Sequence, residues 1–287
     1  MFQVASHPSA FGVHPHNLQH AAPIHAAHSV QLPRTLARPA FTEVSNDAIT
    51  AVAPELASVP PEYIRRGLRS KAPQMLAGVS AASSIPSSLP RSHVPKSLAV
   101  PLRSAPTPDP SYPTHILAVC PAKSASGADQ AALFPVHALV LASHCASLPR
   151  LPSSSAQASQ SAVTLPVIPL SLPSPAAFSI LNSYMYTHRL DTVLKALFPV
   201  PSTFVSNLSY QTVRATLGSG NSLHQLSAYL CQSAGSNLQL LTTHAAHVKD
   251  LWQDMVALGL YDPELWDTLD LAWEIVLGAL NLAATAK

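Results

Sequence analysis

Apolar residues recur at helical spacing through the last third of the chain, where they predict three helices. The first covers about 222–234 and the second about 237–258. The third begins with Asp262 as N-cap and Pro263 at the first helical position. Its apolar face comprises Trp266, Leu269, Trp273, Val276, Leu277 and Leu280. Because all three tryptophans lie in the last two helices, we predict that this pair forms an antiparallel hairpin that anchors the fold.

The pattern between residues 111 and 200 is mixed and predicts an α+β domain. A short helix suits residues 138–146, and three apolar runs suit strands, at 115–120, 132–137 and 163–170. The two prolines of the last run favour an edge strand or an extended segment. Ser174 and Pro175 then begin a helix that ends near 187–191. The connector that follows contains a segment compatible with either helix or extended chain.

Proline dominates the first part of the chain, with 17 of the 28 prolines before residue 116. Proline lacks a backbone donor and has a fixed φ, so long helices and strand ladders are not expected there. Residues 1–110 are therefore predicted to be a mostly disordered region rich in Pro, Ser, Ala and His. Short helices are compatible with 46–53, before Pro54, and with 60–70.

Composition narrows the classes of function. Charged residues make up 10% of the chain and the net charge is +2, so direct nucleic-acid binding is not expected. Three cysteines without a CxxC motif argue against a disulfide framework and favour a reducing, intracellular setting. No signal peptide and no apolar run of about 18 residues is evident, so no membrane association is expected.

Three groups of residues are candidates for a chemical site. Six histidines within residues 7–28 have no cysteine or acid nearby. His244 and His247, followed by Asp250 and Asp254, share a helix but have no matching pair on a second helix. His144 precedes Cys145 directly, and adjacent helical residues point about 100° apart, so this histidine is poorly placed to activate the thiol. We expect no catalytic residue, no cofactor and no metal.

The segment from Tyr112 to Asp191 resembles a BTB/POZ domain. Its strands, the word FPVHALVLASHC and the helix SPAAFSILNSYMYTHRLD carry the likeness, with matching positions at His137, Ser143, Phe178, Leu181, Tyr184, Tyr186 and Thr187. His188 stands where that family often has glycine. The resemblance implies an interaction domain able to form a homodimer, and it implies that His137 is a structural residue. It also raises a rival function, that of a substrate adaptor for a cullin ubiquitin ligase.

From about residue 112 onward the chain also resembles the clampless proteins of mushroom-forming and smut fungi. The words VHALVLASHCASLPRLP and HVKDLWQDMVALGLYDPELWDTLDLAWEIVLGALN carry this likeness. The resemblance implies a role in sexual development, in clamp-cell formation and dikaryon proliferation. It further implies no catalytic activity, action in the nucleus, and contacts with transcriptional regulators.

These observations predict three regions: a mostly disordered 1–110, a BTB/POZ-like α+β domain over 111–200, and a C-terminal helical region over 201–287. The function expected is that of a non-enzymatic regulator that binds other proteins, located in the nucleus, with the cytoplasm as the alternative. The residues predicted to contact partners are Trp252, Trp266, Trp273, Tyr184 and Tyr186. A basic run at 64–71 is a further candidate, as a weak nuclear-import or phosphate-binding patch.

Overall fold

The structure is a computed structural model that describes residues 32–82, 84–105, 107, 109–122, 130–152 and 162–286. The described residues from Thr35 onward form one compact unit. The histidine tract within 7–28 lies outside the described residues. The expectation of disorder for that part of the leader is therefore not addressed by the structure.

The described residues contain ten α-helices and five strands. The helices are α1 (Asn46–Val52), α2 (Pro61–Ala81), α3 (Ala138–His144), α4 (Pro175–Thr187), α5 (Leu190–Leu197), α6 (Ser202–Ser206), α7 (Tyr210–Leu217), α8 (Gly220–Ser233), α9 (Leu238–Leu258) and α10 (Pro263–Thr285). The strands are β1 (Ser88–Pro90), β2 (Ser97–Pro101), β3 (His115–Pro121), β4 (Gln130–Val136) and β5 (Ala162–Leu172). The fold is thus mixed, with helices in the majority.

The five strands form one curled sheet in the order β1-β4-β3-β5-β2. Strands β3 and β5 are parallel, and the other neighbouring pairs are antiparallel. Strand β3 is buried along nearly its whole length, as expected for a central strand with both faces covered. The predicted strands at 115–120, 132–137 and 163–170 are confirmed, as is the helix that follows the second of them.

Strand β5 accommodates its two prolines by dividing its pairing between two neighbours. Its first half, residues 162–166, pairs with β2, and its second half, residues 167–172, pairs with β3. Pro166 lies at the end of the first ladder, opposite Ser97, and Pro169 lies in the second. Each proline therefore sits in a stretch that is paired on one side, which is the condition that proline requires in a strand.

The region from residue 35 to residue 110 differs from the sequence prediction of a mostly disordered leader. Helix α1 is where the sequence places it, but α2 continues well past residue 70 and through Pro73. Two short strands then complete the sheet. The physical reason is burial: Met75 and Ala82 are covered by the body of the protein, and Val100 joins the core cluster that includes Ile116. Packing against distant residues outweighs the local cost of proline.

The helices of the last third lie close to their predicted positions. Asp262 caps α10, because its Oδ1 accepts the N–H groups of Glu264 and Leu265 at 2.9 and 3.3 Å. Gly259 ends α9 in the left-handed region, with φ of 60°. The connector segment left open by the sequence is helical, as α6 and α7. Helix α10 packs against α7, α8 and α9.

Helix α10 is also the one described helix that is long and apolar enough to cross a membrane. Half of its apolar window is buried inside the protein, and its buried residues include Leu269, Val276 and Ala279. A central helix of a water-soluble core has the same composition as a membrane span. The packing of α10 against its neighbours accounts for its hydropathy.

Two glycines of α2 give a matched test of this packing. A Cβ added at Gly78 would lie 1.7 Å from the backbone oxygen of Ser111, whereas a Cβ at Gly67 would meet nothing within 4 Å. We expect Gly78→Ala to lower the free energy of unfolding by about 2–3 kcal/mol through overpacking. Gly67→Ala should raise it by roughly 0.5–1 kcal/mol through helix propensity. Urea unfolding of both variants measures this, and equal effects would contradict the packing of residue 111 on α2.

Candidate interaction surface

Four of the five residues predicted to contact partners are buried. Trp266, Trp273, Tyr184 and Tyr186 are each at most 3% exposed. The indole N–H of Trp266 donates to the backbone oxygen of Leu260 at 3.2 Å, so even its polar edge is satisfied inside the protein. Burial of these rings corrects the expectation that they form a contact surface. The burial of Trp266 and Trp273 agrees with the prediction that tryptophans anchor the last pair of helices.

Trp252, the fifth residue, is half-buried and contacts a segment from the other end of the chain. Its indole N–H donates to the backbone oxygen of Ala37 at 2.8 Å. Ala37 belongs to residues 35–44, a segment without regular secondary structure before α1 that we call the strap. Leu36 of the strap is buried, and Phe41 packs its ring edge-on against Tyr261, with centroids 4.9 Å apart. The strap therefore lies across α9 and the start of α10.

Arg38 is the basic residue of the strap, which also carries the acid Glu43, and it meets two acids of α10. Its Nη2 donates to Asp267 Oδ1 at 2.6 Å, and both its Nε and its Nη2 donate to Asp270 Oδ2. Trp252, Tyr261, Asp267 and Asp270 together form what we call the acidic groove. Of these four residues, Trp252 is the one that the sequence predicted to contact partners, and Asp267 and Asp270 belong to an acidic run on α10. The available signal was an arginine in a weakly charged leader and two acids three residues apart on a predicted helix.

His137 is structural, as the sequence analysis predicted. Its Nε2 lies 3.1 Å from the backbone oxygen of Ser111, so this nitrogen carries the proton and donates it. Its Nδ1 is then free to accept the hydroxyl of Tyr186, 3.0 Å away. The same hydroxyl accepts the backbone N–H of His137. Burial lowers the pKa of His137 to about 4, so the ring is neutral at physiological pH.

Cys145 has the environment of an inert core thiol. Burial raises its pKa to about 12, opposite to the shift that activates a nucleophilic cysteine. Its sulfur lies 3.7 Å from that of Met185. The neighbouring His144 points its Nδ1 at the backbone oxygen of Val140, 2.8 Å away. The two side chains do not form a catalytic pair in this structure.

The polar residues of α9 are also engaged by the fold. His244 Nδ1 donates to the backbone oxygen of Leu197 at 3.2 Å. Asp254 is buried and accepts the backbone N–H of Ser174, the N-cap of α4, at 2.9 Å. Burial raises the pKa of Asp254 to about 7. Within the described ranges, no three His, Cys, Asp or Glu side chains come together in a way that could hold a metal ion.

The basic run at 64–71 lies mostly at the surface, with Arg65 half-buried. Arg65 donates to the backbone oxygen of Ser143 at 2.9 Å, and Arg69 lies 3.0 Å from Nδ1 of His188. Arg66 pairs with Glu62 at 3.3 Å within α2. Three of the four cations thus have a partner within the protein, but Arg66, Arg69 and Lys71 remain exposed at the surface.

A surface cleft of about 590 Å³ lies between α5 and α6. Its charged residues are Arg189, Asp191 and Lys195. Asp191 Oδ2 lies 2.7 Å from Arg189 Nη2 and 3.5 Å from Lys195 Nζ. The pairing of both cations with one carboxylate leaves little charge to attract a ligand.

Comparison with known protein families gives two matches. The model of the Clampless protein 1 N-terminal domain matches residues 39–173, and that of the Clampless protein 1 C-terminal domain matches residues 191–287. The chain belongs to the clampless protein family. No curated protein and no solved structure is significantly similar to the chain, so the BTB/POZ resemblance stays a prediction.

The two clampless domains are joined by main-chain hydrogen bonds. The N–H groups of Ala146 and Ser147, just after α3, donate to the backbone oxygens of Gly259 and Leu258 at 3.3 and 3.0 Å. A Cβ at residue 259 would lie 2.6 Å from the hydroxyl of Ser147. Glycine at this position therefore serves both the left-handed turn and the close approach of the N-terminal clampless domain.

A row of polar side chains lies beside this junction. His144 Nε2 is 3.4 Å from His188 Nε2, and His188 Nδ1 is 3.7 Å from Asp262 Oδ2. Burial lowers the pKa of His144 to about 4. Burial alone would raise the pKa of Asp262, but contacts from His188 and from the N–H of Leu265 lower it overall. The row thus connects the N-terminal clampless domain, the linker residue His188 and the cap of α10.

Asp254 gives a pH-dependent prediction. Its pKa is raised to about 7 in the folded protein, so the unfolded state gains relative stability as pH rises from about 4 to 7. We expect Asp254→Asn, which keeps the oxygen acceptor, to stabilise the protein more at pH 8 than at pH 5. The difference in the free energy of unfolding should be about 2 kcal/mol, measured by urea titration. Asp47→Asn on the exposed side of α1 is the control, and an equal gain at both pH values would contradict the burial of this carboxylate.

Proposed function

We propose that this protein is a non-enzymatic regulator of fungal sexual development that acts by binding other proteins. The steps that it controls are clamp-cell formation and proliferation of the dikaryon. The observation that carries this proposal is the match of both clampless domains, which between them span most of the chain from residue 39 onward. Its site of action would be the nucleus, and its partners would be transcriptional regulators.

The chemistry of the described residues supports a binding role. The side chains that most resemble catalytic or metal-binding groups serve the fold instead. His137 joins Tyr186 to the backbone of residue 111, and Asp254 holds the start of α4. The raised pKa of Cys145 keeps it a neutral thiol. These groups are therefore poor candidates for chemistry on a substrate.

Exposed apolar groups support the same proposal. Phe41 and Tyr63 near the N-terminus of the described chain are 56% and 62% exposed. Tyr229, Leu240 and Val256 on α8 and α9 are also exposed. Large apolar side chains that remain in water are energetically favourable anchors for a partner protein.

Proximity labelling in the native fungal cell tests this function. The full chain is fused to a promiscuous biotin ligase. The control is the same ligase fused only to a nuclear-import signal. We expect the chain to enrich transcriptional regulators over the control, and a fluorescent fusion to accumulate in nuclei. Enrichment of a cullin and its associated subunits would instead identify a ubiquitin-ligase adaptor and contradict the proposal.

A further inference from the structure

The strap is held to the acidic groove by side-chain contacts rather than by a backbone ladder. Among the described residues, no backbone–backbone hydrogen bond involves residues 35–44. Most of the strap is exposed, with Leu36 and Val44 as its buried side chains. A segment with few buried apolar contacts and no ladder opens at low free-energy cost compared with global unfolding. We therefore expect the strap to leave the groove at a lower free-energy cost than unfolding of the rest of the protein.

The groove selects for arginine. The Nε and Nη2 atoms of Arg38 contact two carboxylates of one helix, at Asp267 and Asp270. A planar guanidinium can serve two acceptors in this way, whereas the single ammonium of lysine acts as a point charge. Burial raises the pKa of Asp270, and the contact with Arg38 opposes that rise. The two carboxylates therefore favour a cation between them.

Pro39 favours an extended conformation of the strap residue that precedes it. A residue that precedes proline is disfavoured in the helical region, so Arg38 is biased towards an extended backbone before it binds. Such pre-organisation reduces the entropy lost on docking. In the strap, the backbone oxygen of Ala37 accepts from Trp252 while Arg38 reaches the acids. The neighbouring Leu36 supplies the buried apolar contact.

From these contacts we propose that the acidic groove is a peptide-docking site, and that the strap occupies it in cis in place of a partner. The occupant in trans is an extended segment of a partner protein with an apolar residue two positions before an arginine, as in Leu36-Ala37-Arg38. Displacement of the strap by such a segment opens the site to that partner. This inference deepens the proposed function, because it names a surface through which a regulator would bind.

A labelled peptide of residues 35–44 probes the groove directly. Fluorescence anisotropy compares its binding to the full wild-type chain and to the full chain with Arg38→Ala. A tethered strap competes at an effective concentration in the millimolar range, so the wild-type chain should bind the peptide weakly. Because Arg38→Ala weakens the competitor, we expect this variant to bind the peptide at least about tenfold more tightly.

Matched changes establish the chemistry of recognition. Adding Asp267→Asn and Asp270→Asn to the Arg38→Ala chain should abolish binding. The control adds Glu55→Gln and Glu62→Gln, which are acids outside the groove, and it should leave peptide binding unchanged. A peptide with lysine in place of arginine should bind at least roughly fivefold more weakly. Absence of saturable binding to the Arg38→Ala chain, or binding that survives neutralisation of both groove acids, would overturn the proposal.

A second measurement uses the wild-type chain and does not depend on the folding of any variant. Hydrogen–deuterium exchange of residues 35–44 should accelerate when saturating peptide displaces the strap, while exchange in α4 stays constant. Light scattering follows the same samples. Dimer formation by the wild-type chain without peptide, lost in the Arg38→Ala chain, would assign the groove to the strap of a second copy and refute a partner peptide. A negative result in these tests would refute the docking groove but not the regulatory function, which proximity labelling tests independently.

Discussion

The contact on which the rest of the structure depends is the short main-chain junction between residues 145–147 and 258–260. It ties the end of α3 to the turn between α9 and α10, and so it fixes one clampless domain against the other. The junction works because Gly259 has no side chain to separate the two backbones. Beside it, His188 bridges His144 and Asp262, and Asp262 in turn caps α10. The start of α10, the turn that precedes it and the contact between the two clampless domains therefore depend on the same few residues.

Local signals in the sequence were sufficient for most of the helices and strands after residue 111, but not for α5, α6 and α7. Ser174 and Asp262 each accept backbone N–H groups of the next turn, so the residues that specify these helix starts are adjacent to them. The left-handed stop at Gly259 is equally local. The BTB/POZ resemblance placed His188 at a position that often holds glycine, and its φ of 49° is the left-handed conformation that glycine favours.

Non-local contacts explain what the sequence did not indicate. Strand β2 pairs with β5, more than 60 residues later, and its five residues carry no strong strand pattern of their own. Arg38 meets its acids across more than 220 residues of chain. The tryptophans are also ambiguous in the sequence, because a large aromatic ring is suited both to a core and to a contact surface. Only the packing of α7, α8 and α9 around α10 decides between these roles for Trp266 and Trp273.

The divided pairing of β5 has a consequence for the solubility of the protein. A strand of eleven residues with one unpaired side would offer a continuous row of donors and acceptors to the sheet of a neighbouring molecule. The first half of β5 is open on the side of β3 and the second half on the side of β2, and each half holds one proline, which has no N–H to donate. The two prolines that obscure this strand in the sequence thereby guard the sheet against edge-to-edge aggregation.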